Sequence, residues 1–233
     1  MKIVITRPRA DADDLGQKLL GIGHEFVIAP VLEIVPRTAV KIPNVKYQAV
    51  CLTSANGVRS FSGVVDHHLQ VFAVGEQSAA AARKFGFANI NAKGGDVHGL
   101  VQNITHNLIP AAGPLLYISG SETSGDLEGQ LRRAGFAVDR VISYDAFEQN
   151  LASFREEISF ADAVVLYSPR SAKLWQKQMA AMALDDKMMQ MIHFCLSPAV
   201  ANILSLSSHI EIANSPSEDA MLTMLERRIG DKA

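Results

Sequence analysis

The sequence predicts an α/β fold made of two similar halves with parallel sheets, and three observations support this prediction. Short runs of almost purely apolar residues recur along the 233-residue chain, as is typical of strands covered on both faces of a parallel sheet. Stretches with the helical spacing of apolar residues lie between these runs, and such alternation favours βα units. The pattern also repeats itself after more than 100 residues.

The first strand is predicted at Ile3–Thr6, a short β-branched run close to the N-terminus. Leu15 and Leu19 then have the spacing of one helix face, and Gly21 and Gly23 are expected to end that helix. Apolar runs of the same kind predict the later strands. These lie at Phe26–Ala29, Ala49–Thr53, Val71–Val74, Leu115–Ser119, Val138–Ile142, Ala163–Tyr167 and His193–Leu196.

Helices are predicted between these strands, because the intervening segments have apolar residues at helical spacing. The run Asp185–Lys187 is instead predicted to be a solvated turn. The predicted helices lie at Asn56–Asp66, Glu76–Lys84, Val97–Asn107, Gly125–Ala134, Ser171–Met182 and Ala199–Leu206.

The chain contains an internal duplication. Ala49–Ser54 aligns without a gap with Ala163–Ser168, and Phe72–Gly75 aligns with Phe194–Ser197. The order is therefore unit A, unit B, unit A, unit B. The period is much longer than the 20–50 residues of a solenoid repeat, so the pattern indicates a duplicated α/β domain.

Two segments interrupt the alternation at equivalent places, each leading from an A unit towards a B unit. They are Val31–Pro43, which is rich in proline, and the polar segment Ser143–Asn150. Periodicity leaves two interpretations open. Either both segments are ordinary surface loops, or both cross between lobes, in which case the first A unit and the second B unit share one lobe.

Composition excludes several classes of protein. With 48% hydrophobic and 20% charged residues, the chain is not intrinsically disordered. Its net charge of −2 gives no reason to expect a nucleic-acid partner. No window approaches the ~18 apolar residues of a membrane span, and the N-terminus has no long apolar signal region. We therefore expect a cytoplasmic protein without a membrane partner.

Motifs for metals and nucleotides are missing from the sequence. It contains no His-Glu-x-x-His, Gly-x-Gly-x-x-Gly or Walker-type motif, which argues against zinc-protease and nucleotide-binding functions. Cys51 and Cys195 lie far apart in apolar runs. They are predicted to be core residues rather than metal ligands or disulfide partners.

Small hydroxyl residues and glycines follow the predicted strands at their carboxyl ends, where parallel sheets bind ligands beside helix N-termini. For any single one of them, helix capping is the better explanation, because caps favour Ser and Thr. Together they predict two rims of uncharged donors suited to a polycarboxylate. Arg7 and Arg170 either bind a carboxylate with two N–H groups or face solvent. The candidate binding residues are Thr6, Arg7, Thr53, Ser54, Asn56, Gly75, Ser119, Gly120, Ser121, Ser168, Arg170, Ser171 and Ser197.

Four segments together resemble the uroporphyrinogen-III synthase family. They are Ile5–Pro8, Leu52–Arg59, Ala73–Gly75 and Ser143–Phe147, and the resemblance extends over essentially the whole chain. It implies two similar, flavodoxin-like lobes joined by a two-stranded β-ladder. The implied boundaries are 1–35 with 150–233 for the first lobe, 38–145 for the second lobe, and 32–37 and 144–149 for the ladder strands.

The resemblance also implies an activity. Members of the family cyclise hydroxymethylbilane to uroporphyrinogen III, with loss of water and inversion of ring D, and use neither a metal nor an organic cofactor. The substrate carries eight carboxylates, which the donor-rich rims suit. The resemblance implies a monomer that receives its substrate from hydroxymethylbilane synthase. The rival interpretation from another class is a non-catalytic, two-lobed sensor of a small anionic ligand.

Tyr144 is the candidate catalytic residue, because it matches the family's tyrosine at the start of the second linker. Phenols are protonated at neutral pH, so this side chain is suited to donate a proton or hydrogen bond to the departing hydroxyl. The alternative is an amphipathic linker residue. The turn at Ser197–Val200 departs from the family, because some members have Gly-Pro-Thr-Thr there. Ala199 and Val200 therefore offer no hydroxyl.

Overall fold

The computed structural model describes residues 1–204 and 209–230. The chain divides into two compact units: unit 1 comprises Met1–Glu33 with Phe147–Ala233, and unit 2 comprises Ile34–Ala146. Each unit is described below by itself. No helix in the described residues is long and apolar enough to span a bilayer.

Strands and helices alternate along most of the chain. The strands are β1 Lys2–Ile5, β2 Glu25–Ile28, β3 Leu32–Pro36, β4 Ala49–Leu52, β5 Gln70–Ala73, β6 Asn89–Asn91, β7 Leu115–Gly120, β8 Val138–Glu148, β9 Ala163–Leu166, β10 Ile192–Cys195 and β11 Ile210–Ile212. The α-helices are α1 Arg9–Gly21, α2 Ala55–Arg59, α3 Glu76–Phe85, α4 Val97–Asn107, α5 Leu127–Arg133, α6 Arg155–Ser159, α7 Pro169–Ala181, α8 Asp185–Gln190, α9 Pro198–Ala201 and α10 Glu218–Gly230.

Unit 1 is built on a five-stranded sheet with the order β11-β10-β9-β1-β2, and its neighbouring strands pair in parallel. Its central strands are almost completely buried, and Ile3, Ile5 and Val165 have no exposed surface. Helices α1 and α10 contribute Leu15 and Leu225 to the same core. Burial on both faces explains why these strands are apolar along their whole length.

Unit 2 contains most of a six-stranded sheet with the order β3-β8-β7-β4-β5-β6. The pairs β7–β8, β4–β7, β4–β5 and β5–β6 are parallel. Separate cores cover the two faces of this sheet. Leu52 and Ile118 belong to one core, while Cys51, Tyr117 and Leu131 belong to the other.

The predicted α/β class with parallel sheets is confirmed. The prediction that Cys51 and Cys195 are core residues is also confirmed, because both are completely buried. Burial raises the pKa of each thiol to about 12, so neither is a reactive thiolate at neutral pH. The linker role proposed for the segments 32–37 and 144–149 stays a prediction.

Several predicted elements need correction. The helix predicted at Asn56–Asp66 ends at Arg59, because Ser60, Ser62 and Gly63 are poor helix formers. The run Asp185–Lys187 opens α8 instead of forming a turn. Its two aspartates favour the positive end of the helix dipole, and its Met188 is buried.

Two further predicted elements end at different residues. The strand predicted at Val138–Ile142 continues to Glu148 as β8. The helix predicted at Ala199–Leu206 corresponds to the short helix α9, which ends at Ala201. Positions 205 and 206 of the prediction lie outside the described residues.

Candidate functional site

The carboxyl ends of β4 and β7, together with the middle of β8, bring together several predicted site residues of unit 2. The Thr53 Oγ1 lies 2.9 Å from the hydroxyl of Tyr117. Ser54 is the N-cap of α2, where its Oγ accepts a hydrogen bond from the Asn56 N–H at 3.2 Å. The Tyr144 hydroxyl donates to the same Ser54 Oγ at 3.4 Å. The fold therefore places the Tyr144 hydroxyl beside Ser54, one of the predicted binding residues.

A β-bulge in β8 determines where Tyr144 points. The pairing of β7 with β8 skips Ser143, so that Ser119 lies opposite Ile142 and Gly120 lies opposite Tyr144. Such a bulge re-aims the side chains that follow it. The buried Ser143 hydroxyl donates to the Gly57 carbonyl at 2.7 Å and holds the bulge in place.

Gly120 leaves the space that the Tyr144 ring occupies. A Cβ built on Gly120 would lie 2.6 Å from Cζ and 2.9 Å from the hydroxyl oxygen of Tyr144. Only glycine permits this close approach of backbone and ring. Tyr144 keeps 8% of its surface exposed, so its position is set by packing as well as by its hydrogen bond.

Arg140 is a residue of this site that the sequence analysis missed. Its guanidinium donates to the Ser119 Oγ and to the carbonyls of Gly120 and Ser121. The signal in the sequence was a charged residue inside a predicted apolar strand.

Asp145, the neighbour of Tyr144, is an ionised carboxylate. It accepts two hydrogen bonds from Arg37, from Nε at 2.8 Å and from Nη2 at 2.9 Å. These bonds, together with a hydrogen bond from Ser121, lower the pKa of Asp145 to about 2. Because Arg37 binds the Asp145 carboxylate with two N–H groups, the positive charge of Arg37 is largely compensated within unit 2.

Some predicted donors of unit 2 are used internally. The Ser119 hydroxyl is buried and donates to the Gly120 carbonyl at 3.0 Å. The Ser121 N–H donates to the Tyr144 carbonyl at 3.0 Å. Gly75 differs from both, because it is the N-cap of α3 and a Cβ there would meet no atom within 4 Å. Its surroundings are open, as a helix N-terminus that receives an anion requires.

Thr6 and Arg7 of unit 1 are both buried. Thr6 has no exposed surface, and its hydroxyl donates to the Val165 carbonyl at 3.0 Å, which joins β1 to β9. Arg7 pairs with Glu218 at 2.7 Å and with Asp11 at 3.3 Å. The interpretation of Arg7 as a solvent-facing charge is therefore wrong. Arg7 does bind carboxylates, but those observed belong to this chain.

The remaining candidates of unit 1 lie at the starts of α7 and α9. Ser168 is the N-cap of α7: its Oγ accepts from the Ser171 N–H at 3.0 Å and lies 2.8 Å from the Ser171 Oγ. Capping thus accounts for this pair. Ser197 begins α9 without a side-chain capping bond, and Arg170 is half-buried.

Comparisons with known proteins agree with this architecture. The family model described as uroporphyrinogen-III synthase HemD matches residues 13–223. The structure is similar to uroporphyrinogen-III synthetase from Helicobacter pylori, with a TM-score of 0.65 and 15% identity over 97% of this chain and 99% of that one. It is also similar to a mutant uroporphyrinogen III synthase from the extremely thermophilic bacterium Thermus thermophilus, with a TM-score of 0.59 and 12% identity over 99% of both chains. No curated protein sequence matches significantly.

Proposed function

Because the chain belongs to the uroporphyrinogen-III synthase family, we propose that it is a lyase that cyclises hydroxymethylbilane to uroporphyrinogen III. The reaction releases water and inverts ring D. Family membership favours this enzyme over the alternative of an anion sensor. The observation that supports the proposal most directly in the structure is the position of Tyr144, whose hydroxyl lies at the end of the unit 2 sheet beside Ser54.

The chemistry of the substrate makes orientation the main task of the enzyme. The electron-rich pyrrole expels the hydroxyl readily and leaves an electrophilic azafulvenium cation, so strong acid catalysis is not needed. The difficult step is attack at the substituted carbon of ring D, through a spiro intermediate, before simple ring closure competes. Holding reacting atoms in a near-attack geometry contributes ~7–11 kcal/mol in favourable cases.

We assign to Tyr144 the role of donor to the departing hydroxyl. Its hydrogen bond to Ser54 is long, at 3.4 Å, and such bonds commonly tighten or exchange when substrate binds. Tyr144 passes its proton to the hydroxyl as the C–O bond breaks, and water leaves. Ser54 stays in place during this step, because its Oγ also caps α2.

The carboxylates of the substrate bind at the rims by uncharged donors. The open N-terminus of α3 at Gly75 and the half-buried hydroxyls of Thr53 and Ser197 support this assignment. Helix N-termini attract anions through their free N–H groups and their dipole. We also propose a cytoplasmic monomer that takes hydroxymethylbilane from its synthase, which sedimentation and mixed-enzyme assays would test.

The experiment supplies hydroxymethylbilane and measures the ratio of the III to the I isomer of the product. The wild-type chain should yield mainly the III isomer. Formation of the I isomer alone, at the uncatalysed rate, would exclude the proposed function.

The Tyr144→Phe variant tests the assigned role. It should turn over several-fold more slowly with its fold intact, because it loses only the donor hydroxyl. Tyr47→Phe is the matched control, since the Tyr47 hydroxyl bonds to Asp139 outside the proposed site. Tyr47→Phe should keep the wild-type rate. An unchanged rate for Tyr144→Phe would remove Tyr144 from the mechanism.

A further inference from the structure

Arg140 makes three hydrogen bonds to the segment at the end of β7. Its Nε donates to the Ser119 Oγ at 2.9 Å, and its Nη2 donates to the carbonyls of Gly120 at 2.8 Å and Ser121 at 3.0 Å. The planar guanidinium fork can bind several acceptors at fixed angles, which an ammonium group cannot do. Arg140 therefore fixes three consecutive residues of this segment.

The guanidinium is itself held in place by the ring of Tyr117. The Cζ of Arg140 lies 5.8 Å from the centroid of this ring, and Tyr117 is 1% exposed. The Tyr117 hydroxyl is 2.9 Å from the Thr53 Oγ1. Since a cation is attracted to the face of an aromatic ring, Tyr117 limits the orientations that Arg140 can adopt.

The segment that Arg140 holds contacts Tyr144 in two ways. The Ser121 N–H donates to the Tyr144 carbonyl at 3.0 Å. Gly120 lies so close to the Tyr144 ring that even a Cβ would meet it at 2.6 Å. A displacement of Gly120 must therefore displace the ring, and with it the hydroxyl that reaches Ser54.

Direct binding of a substrate carboxylate by Arg140 is the competing explanation. A depression of about 340 Å³ beside Arg140 is also lined by Asp126 and Glu128. Hydrogen bonds from Gly129 and Arg133 lower the pKa of Asp126, so this carboxylate is ionised at neutral pH. Both carboxylates are paired with arginines of α5. The Arg140 guanidinium already donates three hydrogen bonds to protein acceptors, which favours an internal role over the binding of a substrate carboxylate.

We propose that Arg140 is a positioning residue for the cyclisation, which holds the Tyr144 hydroxyl in its productive place through Gly120 and Ser121. This inference rests on the function proposed above. Arg140 does not touch the reacting atoms. Its effect on turnover depends on the presence of the Tyr144 hydroxyl.

A double-mutant cycle of Arg140→Met and Tyr144→Phe tests the proposal, with kcat, KM and the isomer ratio as readouts. Arg140→Met should lower kcat several-fold, to no less than the value of Tyr144→Phe, with KM unchanged. In the Tyr144→Phe background, the same substitution should change kcat by less than ~2-fold, because coupled residues are non-additive. Arg133→Met is the matched control, since the Arg133 side chain is exposed and its ion pair with Asp126 also lies at the surface. It should keep the wild-type kcat.

Two results would overturn the inference. They are a wild-type kcat for Arg140→Met, whether or not KM rises, and equal losses of kcat in both backgrounds. If Arg140→Met fails to fold, Arg140→Lys takes its place in the cycle, because it keeps the charge and loses the fork. Failure of the proposed function is recognised separately, because the wild-type chain would then yield no III isomer.

Discussion

Gly120→Ala should slow the enzyme by moving the Tyr144 ring. The new Cβ would lie 2.6 Å from the ring Cζ, whereas ordinary contacts begin near 3.4 Å, so the ring must withdraw by about 0.8 Å. Its hydroxyl then leaves the hydrogen bond to Ser54, which is already 3.4 Å long. Overpacking of this kind costs ~1–3 kcal/mol of folding free energy, so we expect unit 2 to remain folded.

The expected loss of kcat lies between two limits. It should at least equal the several-fold loss of Tyr144→Phe, because the hydroxyl is displaced. It should not exceed the ~10²-fold loss that a misplacement of about 1 Å can cause. The assay measures kcat and the III to I isomer ratio with saturating hydroxymethylbilane, and circular dichroism confirms the fold.

Gly21→Ala is the matched control for this substitution, because a Cβ at Gly21 meets no atom within 4 Å. It should leave turnover and the isomer ratio unchanged. A folded Gly120→Ala protein with wild-type kcat would refute the reasoning, since the ring would then have moved without consequence for catalysis.

Two further predictions concern stability. His193 is buried, accepts from the Trp175 Nε1 at 3.3 Å, and has its pKa lowered by burial from 6.5 to about 4. As pH falls, His193 gains its proton in the unfolded chain before it does so in the folded one. The free energy of unfolding should therefore decrease by about 3 kcal/mol between pH 6.5 and pH 4. Urea titrations in which His193→Gln shows the same dependence of this free energy on pH as the wild-type chain would disprove the prediction. Arg7→Met removes a partner of Asp11 and a cationic partner of Glu218, which keeps Lys18, and should cost ~1–3 kcal/mol. Arg9→Met, at an exposed pair, should change stability by less than ~0.5 kcal/mol. Equal urea midpoints for the two variants would contradict this prediction.

The sequence predicted central strands better than edge strands. Strands such as β9, which reads Ala-Val-Val-Leu, are apolar throughout because both faces are covered. The edge strand β6 reads Asn-Ile-Asn and is partly exposed, so no apolar run marked it. The edge strand β11, Ile-Glu-Ile, was missed for the same reason.

Candidate site residues were predicted by position but not by role. Thr6 and Ser54 both follow strands, yet Thr6 is completely buried while Ser54 receives the hydroxyl of Tyr144. The pattern of a strand end followed by a small polar residue is the same in both cases. Only the neighbours in space, such as Val165 for Thr6, distinguish a structural hydroxyl from an available one.

The amino-acid sequence by itself determined the α/β class and the duplication of the halves, because local periodicity encodes them. It also marked the strand ends at which the candidate binding residues are predicted. Only the tertiary structure decided that Arg7 neutralises Glu218, more than 200 positions away, and that a bulge at Ser143 turns Tyr144 over Gly120. The ion pair and the bulge both depend on which groups, distant in the sequence, come into contact when the sheets assemble. No local sequence pattern contains that information.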